Sequence, residues 1–375
     1  MKKEVLEAIA TLVGVVIGAG ILGIPYVVSK SGFLVGALNI IVIGLLVLFV
    51  NLFMGEVVLR TKGNHQLTGY AEKYLGVSGK VLMTISMIIG NYGALLAYLI
   101  GEGEVLSAVF GGNSLFYSVG FFIIVSFIVY NGLKAVKKSE LYLGILFVAI
   151  VFVIIAINAF NVDAENFALS SSNIFLPFGV VLFSYLGIVG IPEMREELIN
   201  NWASMKKAII IGSLIPLAIY LTFGLSVVAV TGAGTTEVAT VGLGESLGRY
   251  MIILGNLFAV FTMATSFIAI ALALKEMYNY DFKISSFNSF LLTISVPLVL
   301  FMLGFKSFIS TISVAGSFSG GIAGILVVFM LWNSKRSCER EPEYKVGFSA
   351  VLGILVIIMF LLGIIYQVLS MLGLF

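Results

Sequence analysis

Residues 15–26 read VVIGAGILGIPY and interrupt the first long apolar segment of the chain. Three glycines and a proline stand here, where a membrane helix normally carries leucine, isoleucine and valine. Inside a helix, glycine costs roughly 1 kcal/mol relative to alanine, and proline about 3 kcal/mol. At bilayer depth, the backbone groups that such a break frees need internal partners or a polar ligand. The stretch therefore predicts a broken helix at the membrane midplane, where membrane proteins often build a binding site.

A near copy of this stretch appears 167 residues later in the chain. GILGIP at residues 20–25 matches GIVGIP at residues 187–192 in five of six positions. A weaker echo pairs IIGN at 88–91 with ILGN at 253–256. Chance is the alternative explanation, because glycine and isoleucine are abundant in this chain. Two Gly/Pro interruptions in the same order favour an internal repeat whose halves share one site.

The composition is that of a protein that crosses the membrane many times. Hydrophobic residues make up 60% of the chain and charged residues 11%, whereas soluble domains carry about 25% charged residues. With about 20 apolar residues in each membrane helix, we predict eleven spans. They lie near residues 5–31, 33–59, 80–110, 114–133, 140–160, 173–199, 205–231, 248–274, 285–303, 308–332 and 347–372.

The number of spans predicts an inverted repeat. Five spans fill each half, and an odd number of crossings inverts the second half relative to the first. We therefore predict an all-α polytopic membrane fold with eleven transmembrane helices. Residues 1–161 and 172–333 form an inverted five-plus-five repeat, and residues 345–375 add one extra helix. The two breaks then run antiparallel and face each other at mid-membrane.

The distribution of basic residues sets the expected orientation. All but Lys30, Arg249 and Lys306 of the 21 lysines and arginines fall on the side where the chain begins. The positive-inside rule then places the N-terminus in the cytoplasm and the C-terminus outside, and we expect the plasma membrane. The net charge of +2 gives no sign of nucleic acid binding, because the basic residues anchor loops at the lipid bilayer.

Several classes of activity are disfavoured. The chain has no GxxxxGK[ST] loop for ATP. Its only histidine and cysteine, His65 and Cys338, leave too few ligands for a metal or haem cofactor of the usual kinds. No pairing of a nucleophile with a general base can be recognised. We therefore expect no enzyme activity and no cofactor.

Polar residues inside the spans are the candidates for function. Glu102 lies in the third span, where a carboxylate costs about 2.5–3.5 kcal/mol and by default indicates function. The alternative is a hydrated position near the external mouth. Tyr98 lies deep enough to need a partner for its hydroxyl. Glu193 follows the second break, where Glu193 and Arg195 also fit a solvated helix end.

The eighth span carries three hydroxyls, those of Thr262, Thr265 and Ser266, in an otherwise apolar helix. Such hydroxyls commonly bond to carbonyls of their own helix. Neutral oxygens that face a broken helix also suit a hard monovalent ion, as carbonyl oxygens do in channels. The sequence leaves both interpretations open.

Three motifs resemble a known family. GAGILGIPY in the first span, FSYLGIVGIPEMREEL in the sixth and TSF in the eighth are similar to the amino acid/auxin permease family. This family belongs to the amino acid–polyamine–organocation superfamily, and the resemblance covers the whole chain. It implies the eleven-helix form of the LeuT-type fold and the transport of amino acids with protons or sodium ions.

The resemblance also implies a substrate site at the two breaks. In this fold, backbone N–H groups at the first break (here residues 19–21) hold the substrate carboxylate, and carbonyls at the second break (around residues 184–185) take the ammonium. Helix-end dipoles give the same assignment, because helix N-termini favour anions and C-termini favour cations. The candidate site therefore comprises Gly18, Ala19, Gly20, Ile21, Tyr98, Ser184, Tyr185 and Gly187. Many family members have a histidine where this chain has Leu186 and Gly187, so its pocket departs from theirs.

The same resemblance bears on the driving ion. Thr265 and Ser266 match the hydroxyl pair that binds sodium in sodium-coupled members of this fold. Carbonyls of the first break, near Ile17 and Gly20, would complete that site. Some proton-coupled relatives place a buried lysine from the fifth span near this position, and the fifth span here has none within the membrane. Sodium is therefore favoured over the proton.

These observations together predict a secondary active transporter that works by alternating access in symport with a cation. Neutral amino acids are the expected substrates, because no lysine, arginine or aspartate lies near the breaks in spans 1, 3, 6 or 8. If the cation is a proton, Glu102 or Glu193 would carry it, since burial favours the protonated carboxyl. The alternative is an amino acid sensor that binds without net transport. The oligomeric state is left open and is compatible with a monomer.

Overall fold

The computed structural model describes residues 2–132, 136–168, 173–280, 282–337 and 339–374. Cys338 lies outside the described residues. The helices are, in chain order, α1 (Lys3–Val16), α2 (Ile24–Ser31), α3 (Phe33–Arg60), α4 (Leu67–Phe110), α5 (Ser114–Asn131), α6 (Val136–Ala159), α7 (Phe178–Ser184), α8 (Gly190–Glu197), α9 (Met205–Thr231), α10 (Ala239–Leu247), α11 (Arg249–Tyr280), α12 (Ser286–Met302), α13 (Phe308–Ala315), α14 (Gly321–Arg336) and α15 (Ser349–Met371).

Many of these helices are long and apolar enough to cross a membrane. Within the described ranges, seven helical segments meet that condition, and the pair α1 and α2, bent by 47°, makes an eighth crossing. Shorter apolar helices cover residues 146–159 and α12. Together with the interrupted pair α7 and α8, these helices fall where the remaining predicted spans lie. The count of eleven is compatible with this architecture and stays a prediction.

The two predicted breaks occupy equivalent places in their spans. The first lies between α1 and α2, where a 3₁₀ turn covers Ala19–Gly23. The second lies between α7 and α8. In each case the proline of the repeated motif, Pro25 or Pro192, falls in the first turn of the resumed helix. Proline is tolerated there because the first N–H groups of a helix have no intrahelical partner.

Connections between helices meet at one end of the bundle, which we designate the N-terminal face. Arg195 in α8 donates a hydrogen bond to the carbonyl of Thr61, directly after α3 (2.9 Å). Lys73 in α4 forms an ion pair with Glu339, between α14 and α15 (2.8 Å). The hydrogen bond from Lys73 also holds the pKa of Glu339 below its usual value. Thr11 of α1 reaches the end of α8, so the chain begins at this face.

Other connections meet at the opposite face. Residues 232–247 form a 3₁₀ turn followed by α10. Glu237, between these two, accepts hydrogen bonds from the Ser307 hydroxyl and from the N–H of Ile309, each at 3.0 Å. This carboxylate therefore caps the N-terminus of α13, where the helix dipole favours negative charge. Lys30 at the end of α2 donates to the Ala233 carbonyl (3.3 Å).

The interrupted helices lie inside the bundle. Helix α1 packs against α8 and α9, and α7 packs against α13 and the turn Gly316–Gly320. Helix α9 is continuous between its ends and also contacts α2, α3 and α6. Large apolar side chains on α5 and α15, such as Phe116, Phe127 and Leu361, are exposed. Exposed apolar faces of this kind fit helices that contact lipid.

Candidate substrate site

The two breaks touch each other at a glycine. An ideal Cβ built on Gly20 would lie 2.7 Å from the Oγ and 2.9 Å from the Cα of Ser184. Gly187, on the other side of the second break, packs directly on Val16 at the end of α1. Both glycines thus allow the backbones of the two breaks to approach closely. The prediction that the breaks face each other is in accord with this contact.

The first break presents backbone N–H groups in a buried position. Ala19, Gly20 and Ile21 open the 3₁₀ turn and are fully buried. The first N–H groups of a helical turn lack an intrahelical partner. The N–H of Ile21 approaches the Gly18 carbonyl only at 3.4 Å. These groups therefore suit a carboxylate, as anions favour helix starts.

The second break presents carbonyls, while its side chains have partners elsewhere. The Ser184 hydroxyl donates to the Val180 carbonyl one turn back (2.9 Å). The Tyr185 hydroxyl donates to the Ile40 carbonyl on α3 (3.2 Å). The group that Ser184 could offer to a substrate is therefore its backbone carbonyl. The side chain of Tyr185 instead packs between the end of α7 and α3.

Residues from three spans meet beside the first break. A Cβ on Gly18 would lie 3.8 Å from the Ser266 Oγ and 4.0 Å from the Tyr98 hydroxyl. The hydroxyl oxygens of Tyr98 and Ser266 therefore lie within 4.0 Å of the same position beside Gly18. Tyr98 is buried in α4, and Ser266 is partly buried in α11. The structure therefore brings Gly18 and Tyr98, which the sequence assigned to the substrate site, next to Ser266, which it assigned to the sodium site.

The other hydroxyls of α11 bond to their own helix. The Thr265 hydroxyl donates to the Phe261 carbonyl (2.7 Å) and the Thr262 hydroxyl to the Phe258 carbonyl (2.8 Å). This is the local bonding that serine and threonine commonly adopt in helices. Their oxygens keep lone pairs that can accept. Among the described residues, no group of three or more histidine, cysteine, aspartate or glutamate side chains could hold a metal ion.

Glu102 is a buried carboxyl without partners. It is 0% exposed, and neither carboxyl oxygen has a hydrogen-bond partner in the described part of the chain. It lies one helical turn from Tyr98, and residues spaced in this way share a helix face. An ionised carboxylate without partners is costly in buried surroundings, so the surroundings of Glu102 favour its neutral carboxyl.

Glu193 is exposed, whereas the proposed proton site requires a buried carboxyl. It lies near the start of α8. A hydrated carboxylate of this kind gains nothing from burial, which was the physical basis for naming Glu193 beside Glu102. The exposure of Glu193 fits the solvated helix end that the sequence also allowed, and not a buried proton site.

Arg195 is buried, contrary to the solvated helix end expected from the sequence. Only 4% of it is exposed. Besides Thr61, its guanidinium binds the Gly63 carbonyl and the Asn64 side chain. The Trp202 indole N–H donates to the Arg195 carbonyl (3.0 Å). The segment after α3 covers the end of α8, and no local sequence pattern signals this.

Tyr220 in α9 is a functional candidate that the sequence did not reveal. Its hydroxyl lies 2.7 Å from the Val16 carbonyl and 3.0 Å from the Ser184 carbonyl. One side chain of a continuous helix therefore contacts the ends of both α1 and α7. A lone tyrosine in an apolar span gives no signal, because tyrosines in membrane helices usually pack or lie at interfaces.

Two interrupted helices meet inside a bundle of apolar helices, and one break presents N–H groups while the other presents carbonyls. This arrangement defines an integral membrane transporter of the broken-helix class. The chain belongs to the tryptophan/tyrosine permease family, whose model matches residues 1–369. It is therefore an amino acid transporter and not an enzyme.

Individual proteins show the same similarity. The chain is 27% identical to tyrosine-specific transport system 1 of Haemophilus influenzae, over 92% of each chain. It is 23% identical to glutamine transporter 2 of Aliivibrio fischeri, over 88% of this chain and 87% of the relative. Among solved structures, MhsT in complex with L-phenylalanine matches with a TM-score of 0.62 and 14% identity, over 97% of this chain and 98% of that one.

These similarities confirm the predicted fold class. The structural match extends over nearly the whole chain and shows the all-α membrane fold expected from the two breaks. The matching family differs from the amino acid/auxin permease family named from the motifs. The broader expectation, an integral membrane protein that transports amino acids, is confirmed.

Proposed function

We propose that the chain is a secondary active transporter that carries neutral amino acids by alternating access in symport with a cation. The observation that carries this proposal is the contact of the two breaks at Gly20 and Ser184. It sets buried N–H groups of one helix start close to carbonyls of another helix end. A carboxylate and an ammonium on the same carbon complement these two groups.

The uncharged surroundings support neutral substrates. The side chains beside the breaks, those of Tyr98, Ser184, Tyr220 and Ser266, carry no charge at neutral pH. Tyrosine and glutamine, for which the similar transporters are named, and the phenylalanine bound to MhsT are neutral as well. A lysine or arginine side chain would need a partner charge in the membrane interior.

A proton is the coupling ion that the side chains support best. Glu102 is a buried carboxyl that suits the neutral form, and alternating access would expose it to water and allow it to ionise. Sodium remains the alternative, because Ser266 lies beside Gly18 at the first break. Thr265 donates its hydroxyl proton to its own helix, and its oxygen keeps lone pairs that could contact a sodium ion.

The arrangement in the membrane also belongs to this proposal. The N-terminal face would lie in the cytoplasm and the C-terminus outside, in the plasma membrane. Residues 1–161 and 172–333 would form the two halves of the inverted repeat, with residues 345–375 outside it. The equivalent positions of Pro25 and Pro192 support this division.

Uptake into proteoliposomes tests the proposal. Radiolabelled tyrosine and glutamine, with lysine as the charged competitor, are offered under a pH gradient without sodium and then under a sodium gradient without a pH gradient. We expect accumulation of the neutral amino acids with the pH gradient alone. Accumulation with sodium alone would favour the Ser266 site. Binding without accumulation under either gradient would support the sensor.

A further inference from the structure

Tyr220 lies where the two interrupted helices end. It is fully buried in α9, and its hydroxyl is within hydrogen-bond distance of the carbonyls of Val16 (2.7 Å) and Ser184 (3.0 Å). Val16 is the last residue of α1, and Ser184 is the last residue of α7. The hydroxyl therefore lies at the C-terminal ends of both half-helices.

The carbonyls of Val16 and Ser184 are two acceptors that share one hydroxyl proton. The last carbonyls of a helix lack intrahelical partners, and the C-terminal end carries partial negative charge. Here two such ends converge on one side chain. A tyrosine hydroxyl has a single proton to donate, so only one of the carbonyls of Val16 and Ser184 can receive a full hydrogen bond at any moment.

An amino acid would bring the missing donors. Its ammonium has three N–H groups and a positive charge, which suits the negative end of α7. We infer that Tyr220 is a positioning residue that holds the Ser184 carbonyl in the substrate-free protein and passes it to the substrate ammonium on binding, while keeping its hydrogen bond to Val16. This inference rests on the proposed function, because it assumes that an amino acid binds at the breaks.

The transfer needs little movement. The ring of Tyr220 is held by the ring of Tyr185, with centroids 5.1 Å apart, and Tyr185 is itself fixed to the Ile40 carbonyl. The two acceptors of Tyr220 differ by only 0.3 Å in distance, since one is at 2.7 Å and the other at 3.0 Å. Rotation of the hydroxyl proton is therefore enough to release Ser184.

This arrangement makes the hydroxyl a competitor of the substrate. The ammonium has to displace it on binding, and the hydroxyl can displace the ammonium on release. Removal of the hydroxyl should therefore strengthen binding of the amino acid and slow its release. A merely structural role of Tyr220 would instead weaken binding, because the breaks would lose their register.

Tyr220→Phe separates the two cases, since it removes only the hydroxyl. With L-tyrosine as the probe, we expect the dissociation constant to fall by up to about tenfold, the size of the neutral hydrogen bond that the substrate no longer has to displace. The maximal uptake rate should fall as well. The des-amino analogue, 3-(4-hydroxyphenyl)propionate, has no ammonium, and its inhibition constant against labelled L-tyrosine should stay unchanged.

Tyr92→Phe is the matched control. The Tyr92 hydroxyl is also buried and bonded, to the Tyr278 hydroxyl (2.9 Å) and the Leu292 carbonyl (3.0 Å), but it lies away from the breaks. This variant should keep the wild-type dissociation constant. A higher or unchanged dissociation constant in Tyr220→Phe, or the same change in Tyr92→Phe, would overturn the inference. Failure of the wild-type protein to bind any amino acid would instead overturn the proposed function.

A second measurement serves if Tyr220→Phe does not fold. Replacement of Tyr220 by 3-fluorotyrosine keeps the hydroxyl and adds a fluorine signal at this one position. We expect its ¹⁹F resonance to shift when L-tyrosine saturates the protein, because the hydroxyl leaves Ser184. An unchanged resonance with L-tyrosine bound would show that the hydroxyl keeps both carbonyls, and would overturn the inference.

Discussion

Gly20 and Ser184 lie so close that no side chain fits between them. A Cβ on Gly20 would come within 2.9 Å of the Cα of Ser184, which is backbone and cannot rotate away. The close approach joins the start of one helical turn to the end of α7. The glycine is therefore required for the distance between the breaks.

Gly20→Ala should abolish or strongly weaken amino acid binding. The added methyl group has to push the second break away, and the N–H groups of the first break then lose their distance to the Ser184 carbonyl. We expect an increase of about five- to 150-fold in the dissociation constant, since overpacking a close contact costs about 1–3 kcal/mol. Binding of labelled L-tyrosine to the purified protein measures it.

Gly14→Ala is the control for this substitution. Gly14 lies within α1, six residues before Gly20, and a Cβ there would meet nothing within 4 Å. Alanine in a helix is favoured over glycine by about 1 kcal/mol, so this variant should bind normally and be at least as stable. Normal binding by Gly20→Ala would show that the substrate lies elsewhere.

Glu102→Gln should uncouple transport from the pH gradient. Glutamine keeps the shape of the protonated carboxyl but cannot release a proton. We expect uptake driven by a pH gradient to be lost, while exchange of external labelled for internal unlabelled substrate continues. Glu104→Gln, at a partly exposed position two residues further on, should keep the coupling. If Glu102→Gln still accumulates substrate under a pH gradient, Glu102 is not the proton carrier, and the sodium site at Thr265 and Ser266 becomes the better candidate for coupling.

The sequence predicted the breaks because glycine and proline leave a local trace. Residues 15–26 and 187–192 carry that trace, and both fall where the helices are interrupted. The approach of Ser266 to the first break was expected from the fold that the motifs resemble, and Tyr98 was a candidate because its hydroxyl lies deep in its span. Tyr220 and the burial of Arg195 were not predictable in this way, because each depends on which distant carbonyls lie opposite.

A buried ion pair stabilises the N-terminal face. Glu56 accepts hydrogen bonds from the Nε and Nη2 of Arg60 at 2.9 and 2.8 Å, and from the N–H of Val346 at 2.7 Å. Glu56→Leu removes the carboxylate that faces a buried guanidinium. Breaking a buried pair in this way costs about 3–5 kcal/mol. We expect a clear fall in the midpoint of thermal unfolding in detergent.

Two further variants serve as controls for the unfolding midpoint of Glu56→Leu. Glu56→Leu combined with Arg60→Leu removes both charges and should recover part of the lost stability, because no buried charge then faces an apolar side chain. Glu341→Leu breaks the exposed pair with Lys345, and exposed ion pairs contribute little to stability because water and salt screen them. An equal effect of Glu56→Leu and Glu341→Leu would contradict the assignment of stability to burial.

Arg195 joins the end of α8 to the segment after α3, and this clamp should control how readily the N-terminal face opens. Arg195→Ala leaves the carbonyls of Thr61 and Gly63 without their donors, at a cost of about 1–3 kcal/mol for each buried group. We expect faster amide hydrogen exchange in residues 61–70 and 198–204 and a lower midpoint of thermal unfolding.

Arg195→Lys keeps the charge but lacks the planar fork that serves several acceptors, so its effect should be intermediate. Arg336→Ala, at an exposed position near the end of α14, removes an equal charge and should leave exchange in both segments unchanged; equal acceleration in Arg195→Ala and Arg336→Ala would mean that charge, and not the clamp, holds this face closed.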